Sequence, residues 1–212
     1  MAPNWSNRPS TGNTNADGTA SCTGSADKQA WRNPELIWPT SRPCPDAAWS
    51  ELIARLAIGS YLVKRQDVIL QGPTGAGKTY VACALGNKAC QQYRKVLYLS
   101  ADELFDRITI AERTGDKKRC LDTLVKVELL IIDDWFLTPP TRPQVQQLHT
   151  LIDRRHKTAS TIYCTQLPPG QWHDRMEEKI LADAIVDRIT TNAHATVLDC
   201  DDSMRKHFTH LE

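Results

Sequence analysis

The chain has 212 residues, 41% of them hydrophobic and 24% charged, which is the make-up of one ordinary soluble domain. With 26 Lys and Arg against 25 Asp and Glu the formal net charge is +1, so this is not a highly basic nucleic-acid coat, and any DNA contact must come from local patches. No apolar run approaches the roughly 18 residues of a membrane span, and the start MAPNWSNRPS lacks a secretory signal's charged and apolar regions; with seven Cys and no Cys-x-x-Cys pair, a reduced cytoplasmic setting is expected and a zinc site is not.

Residues 1–45 read as a disordered leader. They hold six of the 12 Pro, one Leu (Leu36), one Ile (Ile37) and no Val or Phe. That is too little apolar surface to offset the entropy of ordering the backbone. Docking of Trp5, Trp31 or Trp38 on a surface is the alternative. The folded domain is expected over 46–212, where 22 basic residues balance 22 acidic ones. Asp46 can cap a helix bearing Trp49, Leu52, Ile53 and Leu56 at i, i+3, i+4 and i+7, with Gly59 as its stop. A strand DVILQ (67–71) enters a Gly-rich loop, and a helix follows from Lys78 to Tyr93. The strand KVLYLS (95–100) comes next; Ser100 and Glu103 have capping-box spacing, and helices are expected over 101–113 and 117–126. The apolar run LLIID (129–133) predicts a fully buried strand. A helix over 141–157, a strand STIYCT (160–165), a helix over 177–191, a strand ATVLD (195–199) and a short terminal helix complete the chain. This alternation predicts an α/β fold, a parallel sheet with helices on both faces.

Two segments carry chemistry. GPTGAGKT (72–79) fits the pattern G-x-x-x-x-G-K-[ST], with a strand leading in and a helix leading out. Gly72, Gly75 and Gly77 let the backbone curl so that its N–H groups face phosphate oxygens, and the helix start adds its positive dipole end. Pro73, Thr74 and Ala76 complete the loop, and Tyr80 follows it. Lys78 is expected to reach the β- and γ-phosphates of ATP, and the Thr79 hydroxyl to ligate Mg²⁺. LLIIDD (129–134) ends an apolar strand in paired carboxylates. Asp133 is expected to hold Mg²⁺ through water and Asp134 to polarise the attacking water. Asp134 is one methylene shorter than the commoner Glu. An acid in that position marks the ATP-hydrolysing branch of P-loop proteins, with an extra strand between the two motifs; KVLYLS is the expected strand.

GPTGAGKTYVACALGNKAC, LLIIDDW, STIYCTQLPPGQWHD, LADAIVDRITTNAHATVLD and SMRK, in this order, resemble the IstB-type ATPases. These are the transposition helpers of insertion sequences, relatives of the DnaC helicase loaders in the AAA+ class. The likeness covers about Asp46 to Phe208. It implies a five-stranded parallel P-loop sheet of AAA+/ASCE type and Mg²⁺-dependent ATP hydrolysis. It also implies a homo-oligomer on duplex DNA, and a transposase of the same insertion sequence as partner. By the same resemblance Gln166 is a sensor that orients the attacking water, with Thr165 as the alternative. Arg188 matches a finger that reaches a neighbouring subunit's γ-phosphate, the other reading being a surface pair with Asp187 or Asp183. Arg205 matches a nucleotide-contacting sensor on the terminal helix, and Trp172 and His173 match packing positions.

Three departures from the family stand out. The leader takes the place of its helical N-terminal region, Phe136 replaces a usual Gly, and MEEKILADAI replaces a G-D-P-type turn. A DnaC-type helicase loader, a nucleotide-binding remnant without assembly activity and a small-molecule kinase are the alternative functions. The basic groups Lys117-Lys118-Arg119 and Arg154-Arg155-His156-Lys157 are candidate contacts with DNA phosphates, or solvated charged faces.

Overall fold

The computed structural model describes residues 22–24 and 47–198. The rest of the expected leader, and the expected terminal helix with Arg205, lie outside the described residues. The strands are β1 (Cys22–Gly24), β2 (Asp67–Gln71), β3 (Val96–Ser100), β4 (Leu129–Trp135), β5 (Ser160–Thr165) and β6 (Ala193–Val197). The helices are α1 (Ala47–Ala57), α2 (Ser60–Lys64), α3 (Lys78–Gln91), α4 (Ala101–Arg113), α5 (Lys117–Lys126), α6 (Arg142–Arg155) and α7 (Lys179–Thr190). All pairings are parallel, in the order β1-β3-β4-β5-β2-β6. Five of these strands are the expected sheet; the sixth, β1, is a three-residue edge strand on β3 from within residues 1–45.

The strands are apolar without alternation because both faces are covered. Successive residues of each strand go to different sides. Val68, Leu70, Tyr98, Leu129, Ile131, Ile162 and Cys164 pack with α1, α2 and α3. Ile69, Leu97, Leu99, Leu130, Ile132 and Tyr163 pack with α4 to α7. Asp133 continues the series 129, 131, so its side chain belongs to the α3 side.

Several boundaries follow from local chemistry. Ser100 accepts from the Glu103 N–H at 3.2 Å, and Glu103 accepts from the Ser100 N–H at 2.9 Å, closing the expected capping box. Helix α3 ends before Tyr93, whose φ of 60° is left-handed. Strand β6 begins two residues earlier than expected, because Ala193 pairs with Asp67 at the start of β2.

Two expectations are corrected. KVLYLS does not separate the phosphate-loop strand from the acidic strand. It lies on the outer side of β4, and β5 stands between β2 and β4. Sequence order carries no record of which parallel strand is inserted where. The group Arg154–Lys157 is not a free basic patch either. Arg155 is buried at 3% exposure; its guanidinium donates to Leu124 O at 2.7 Å, Val127 O at 2.8 Å, Ser160 O at 2.5 Å and Thr161 Oγ1 at 3.1 Å. Arg154 pairs with Asp122, and Lys117 of the other basic group with Glu112.

Candidate nucleotide site

The loop between β2 and α3 gets its shape from its glycines. Gly75 and Gly77 both have φ of 87°, a conformation that costs a side-chain-bearing residue about 1–2 kcal/mol. Gly77 is the N-cap of α3, so the helix begins at Lys78. Gly72 serves a different end: a Cβ there would stand 2.3 Å from the Leu198 carbonyl oxygen. The neighbouring strand end closes over it, with the Leu198 N–H donating to Gln71 O at 2.6 Å. Pro73 and Thr74 are exposed, Ala76 is buried and donates its N–H to Pro73 O at 3.2 Å. Lys78 is buried, and its Nζ donates to Gly72 O and Pro73 O, each at 2.8 Å. Its charge therefore lies against the loop's own backbone. Tyr80 is half-buried against the α3-side core, and burial raises its phenol's pKa.

Asp133 is 6% exposed and is held on both oxygens. Oδ2 accepts from Thr79 Oγ1 at 2.7 Å and from the Tyr98 hydroxyl at 2.5 Å; Oδ1 accepts from the Asp134 N–H at 2.9 Å. Burial, then the Asp133 charge, drives the Tyr98 phenol far above its ordinary range. Cys164 of β5 is likewise raised, by burial first and the same carboxylate next. Sequence reasoning missed Tyr98, although the period of two would have put Tyr98 and Asp133 on one side of adjacent strands.

Next to Asp133 the β4–β5 ladder slips: Ile132 faces Tyr163, but Trp135 faces Thr165. One extra residue is accommodated in β4, with Asp134 at φ 54°. Such a bulge re-aims a side chain. Asp134 is thus exposed at the strand end while Asp133 stays buried. Phe136 is also left-handed, at φ 56°, where the resemblance leads one to expect Gly. It is held by rings: centroids lie 4.4 Å from Trp135 and 5.9 Å from Trp172. Trp172 is fully buried, with its indole N–H donating to Leu167 O at 3.1 Å. His173 stands between the carboxylates of Asp183 at 3.2 Å and Asp174 at 3.6 Å.

Gln166 is exposed and follows the last residue of β5, between the ends of β2 and β4. Thr165, the alternative to it, is buried; its hydroxyl bonds Trp135 O at 3.2 Å and the Leu167 backbone at 3.1 Å. It therefore closes a turn and is not presented to a ligand. Arg188 is not brought to the loop of its own chain. It lies two residues before the end of α7, which leads into β6 beside the start of β2, whereas the loop follows the end of β2. Its guanidinium meets Asp153 at 2.9 Å and Ala184 O at 3.1 Å, so its partner is on α6, not Asp187 or Asp183.

The assembled geometry is therefore Lys78, Thr79, Asp133, Asp134 and Gln166 around the C-terminal ends of three adjacent strands, the usual ligand crevice of such sheets. The model for the family of IstB-like ATP-binding proteins matches residues 45–211. The chain belongs to the IstB-like ATP-binding family. An insertion-sequence ATP-binding protein of Sinorhizobium fredii, y4pL, is 37% identical over 156 residues, covering 74% of this chain and 63% of that protein. The IS1162 ATP-binding protein of Pseudomonas fluorescens is 44% identical over 117 residues, 55% of this chain and 51% of that one. The chain thus spans about half to three-fifths of the length of these relatives. Among solved structures, DnaI matches with a TM-score of 0.70 at 19% identity, covering 84% of this chain and 97% of that one. DnaA bound to AMPPCP and single-stranded DNA matches with 0.66 at 18% identity, covering 82% and 52%. These establish the AAA+ P-loop fold. Among the described residues no helix is long and apolar enough to cross a membrane.

Proposed function

We propose that this chain binds ATP with Mg²⁺ in the 72–79 loop and hydrolyses it, as the nucleotide-driven helper of an insertion-sequence transposase in the cytoplasm. It would assemble as a homo-oligomer on duplex DNA. The observation that carries the reading is the 2.7 Å contact between Thr79 Oγ1 and Asp133 Oδ2, contributed by the loop helix and the acidic strand. Two hard oxygen donors side by side fit Mg²⁺, which takes few protein ligands and completes its shell with phosphate and water. When bound, the cation neutralises charge on the β- and γ-phosphate oxygens.

The chain's own residues supply the rest. The loop N–H groups and the start of α3 cradle the phosphates. Lys78, whose Nζ now rests on Gly72 O and Pro73 O, turns to the β- and γ-phosphates. Asp134, exposed beside the buried Asp133, accepts a hydrogen bond from the attacking water and polarises it, and Gln166 orients the same water from the neighbouring strand end. Arg188 lies away from its own loop, which supports a role on the nucleotide of a second copy. A permanently charged, forked guanidinium suits that task. Arg205 would touch the nucleotide from the chain's end. The insertion-sequence relatives support a transposase as partner. With Arg155 buried and Arg154 and Lys117 paired, Lys118 and Arg119 of α5 are the better candidates for DNA phosphates.

The test is ATPase rate against protein concentration, with and without duplex DNA, for the wild type and Arg188→Ala. A finger supplied in trans is worth roughly 10³–10⁵ in rate. Turnover per protomer should therefore rise steeply with concentration and DNA in the wild type. Arg188→Ala should bind ATP but stay at the monomer's rate. Turnover per protomer that is independent of concentration, or equal in the variant, would refute the shared site.

A further inference from the structure

We propose that Tyr98 is the positioning residue of the magnesium-binding aspartate. Its hydroxyl, donated to Asp133 Oδ2 at 2.5 Å, holds the carboxylate in its cation-accepting orientation independently of Thr79. The inference rests on the reading of the site given above, and adds a residue to it.

In strand β3, VLYL is a buried run, and core packing alone asks only for apolar side chains there. A phenol in such a run buries a hydroxyl, which costs free energy unless it finds a partner. Tyr98 is opposite Ile131 in the β3–β4 register, and Asp133 is the next residue of β4 on the same side. A Tyr side chain is long enough to span that diagonal, and a shorter polar residue is not. The partner it reaches is an ionised acceptor, the stronger kind of hydrogen bond.

Thr79 and Tyr98 differ in what happens to them when a cation arrives. Thr79 sits at the mouth of the loop, and its oxygen must turn a lone pair to the metal. Its present bond to Asp133 Oδ2 is therefore subject to exchange. Tyr98 belongs to a strand flanked by β1 and β4 and is buried against the inner side of α3, so it is not itself part of the loop that receives the nucleotide. Its bond can persist through the exchange. With the Asp134 N–H on Oδ1, it keeps both carboxylate oxygens directed while Thr79 changes partner. Groups that orient a metal ligand in this way are worth about 10–100-fold in metal affinity.

The experiment compares the wild type with Tyr98→Phe, which keeps the ring and removes the donor. Mn²⁺ is titrated by electron paramagnetic resonance into each protein loaded with AMP-PNP. AMP-PNP affinity and thermal unfolding are measured in EDTA. The expected result is about tenfold weaker Mn²⁺ binding in the variant, with nucleotide affinity in EDTA unchanged. Equal Mn²⁺ affinity in the two proteins overturns the inference and leaves the site reading standing. A wild type that takes up no nucleotide-dependent Mn²⁺ overturns the site reading itself. Should Tyr98→Phe not fold, 4-methylphenylalanine and 4-aminophenylalanine at position 98 replace it, having similar bulk without and with a donor. Weak Mn²⁺ binding in the first and recovery in the second support the inference; equal affinities refute it.

Discussion

Phe136 is the place where two opposing effects can be weighed against each other. Its backbone is left-handed, at φ 56°, and its side chain is 2% exposed among Trp135 and Trp172. Replacing it removes a buried ring, at a cost of about 3–5 kcal/mol for a Phe→Ala change. Ala would carry that loss and keep the backbone strain. Gly would carry the same loss but relieve the strain; at positive φ it is better than Ala by roughly 1 kcal/mol even after its larger unfolded-state entropy is counted. The expected order of stability is therefore wild type, then Phe136→Gly, then Phe136→Ala. In a domain of this size each kcal/mol moves the melting temperature by about 2–4 °C. Phe136→Gly should melt roughly 5–15 °C below the wild type, with Phe136→Ala a few degrees lower still. Urea and thermal unfolding followed by circular dichroism decide it. A Gly variant as stable as the wild type would mean that relief of backbone strain fully offsets the lost ring. An Ala variant more stable than the Gly variant would contradict the left-handed backbone.

Two other substitutions probe the packing around the sheet. Arg155→Ala leaves the carbonyls of Leu124, Val127 and Ser160 without their donor and should cost about 3–5 kcal/mol in a urea titration; a loss below about 1 kcal/mol would mean a solvated surface charge. Asp67 accepts from the Thr161 N–H at 2.7 Å, but burial outweighs that bond and the nearby Arg155 charge and pushes its carboxyl from 3.8 up to about 7. Between those values the folded protein holds a proton that the unfolded chain has released, so this group's contribution is complete below pH 3.8 and is lost as pH rises towards about 7. Asp67→Asn should therefore gain stability relative to the wild type as pH rises through that window, read from urea midpoints. A difference that stays constant, or moves the other way, would mark Asp67 as the charged partner of Arg155.

Much of the fold was legible because its signals are local. The Ser100–Glu103 capping box, the apolar run before Asp133 and the glycines at 75 and 77 each act within a few residues, and each is where the spacing put it. What was not legible depends on neighbours distant in sequence. Ser160–Thr165, not Val96–Ser100, lies between β2 and β4 because strand order is set by crossovers. Arg155 looks like part of a basic run, and only the carbonyl ends of α5 and the start of β5 make it a buried tie. The bulge at Asp134 is invisible in LLIIDDW, since nothing in the string marks which residue slips. Within the site, the loop and the paired aspartates were readable from motif spacing. Tyr98 was not picked out, because its role appears only when β3 and β4 are set side by side.

Every role assigned above depends on ATP lying in the loop before α3 with its cation shared between Thr79 and Asp133. Isothermal titration of ATP with Mg²⁺ into the wild type, Lys78→Ala and Asp133→Asn tests it most directly. The wild type should bind ATP, and Lys78→Ala should lose that binding. In Asp133→Asn, binding should persist in EDTA but no longer tighten when Mg²⁺ is added. Undiminished Mg²⁺-dependent ATP binding in both variants would contradict this placement.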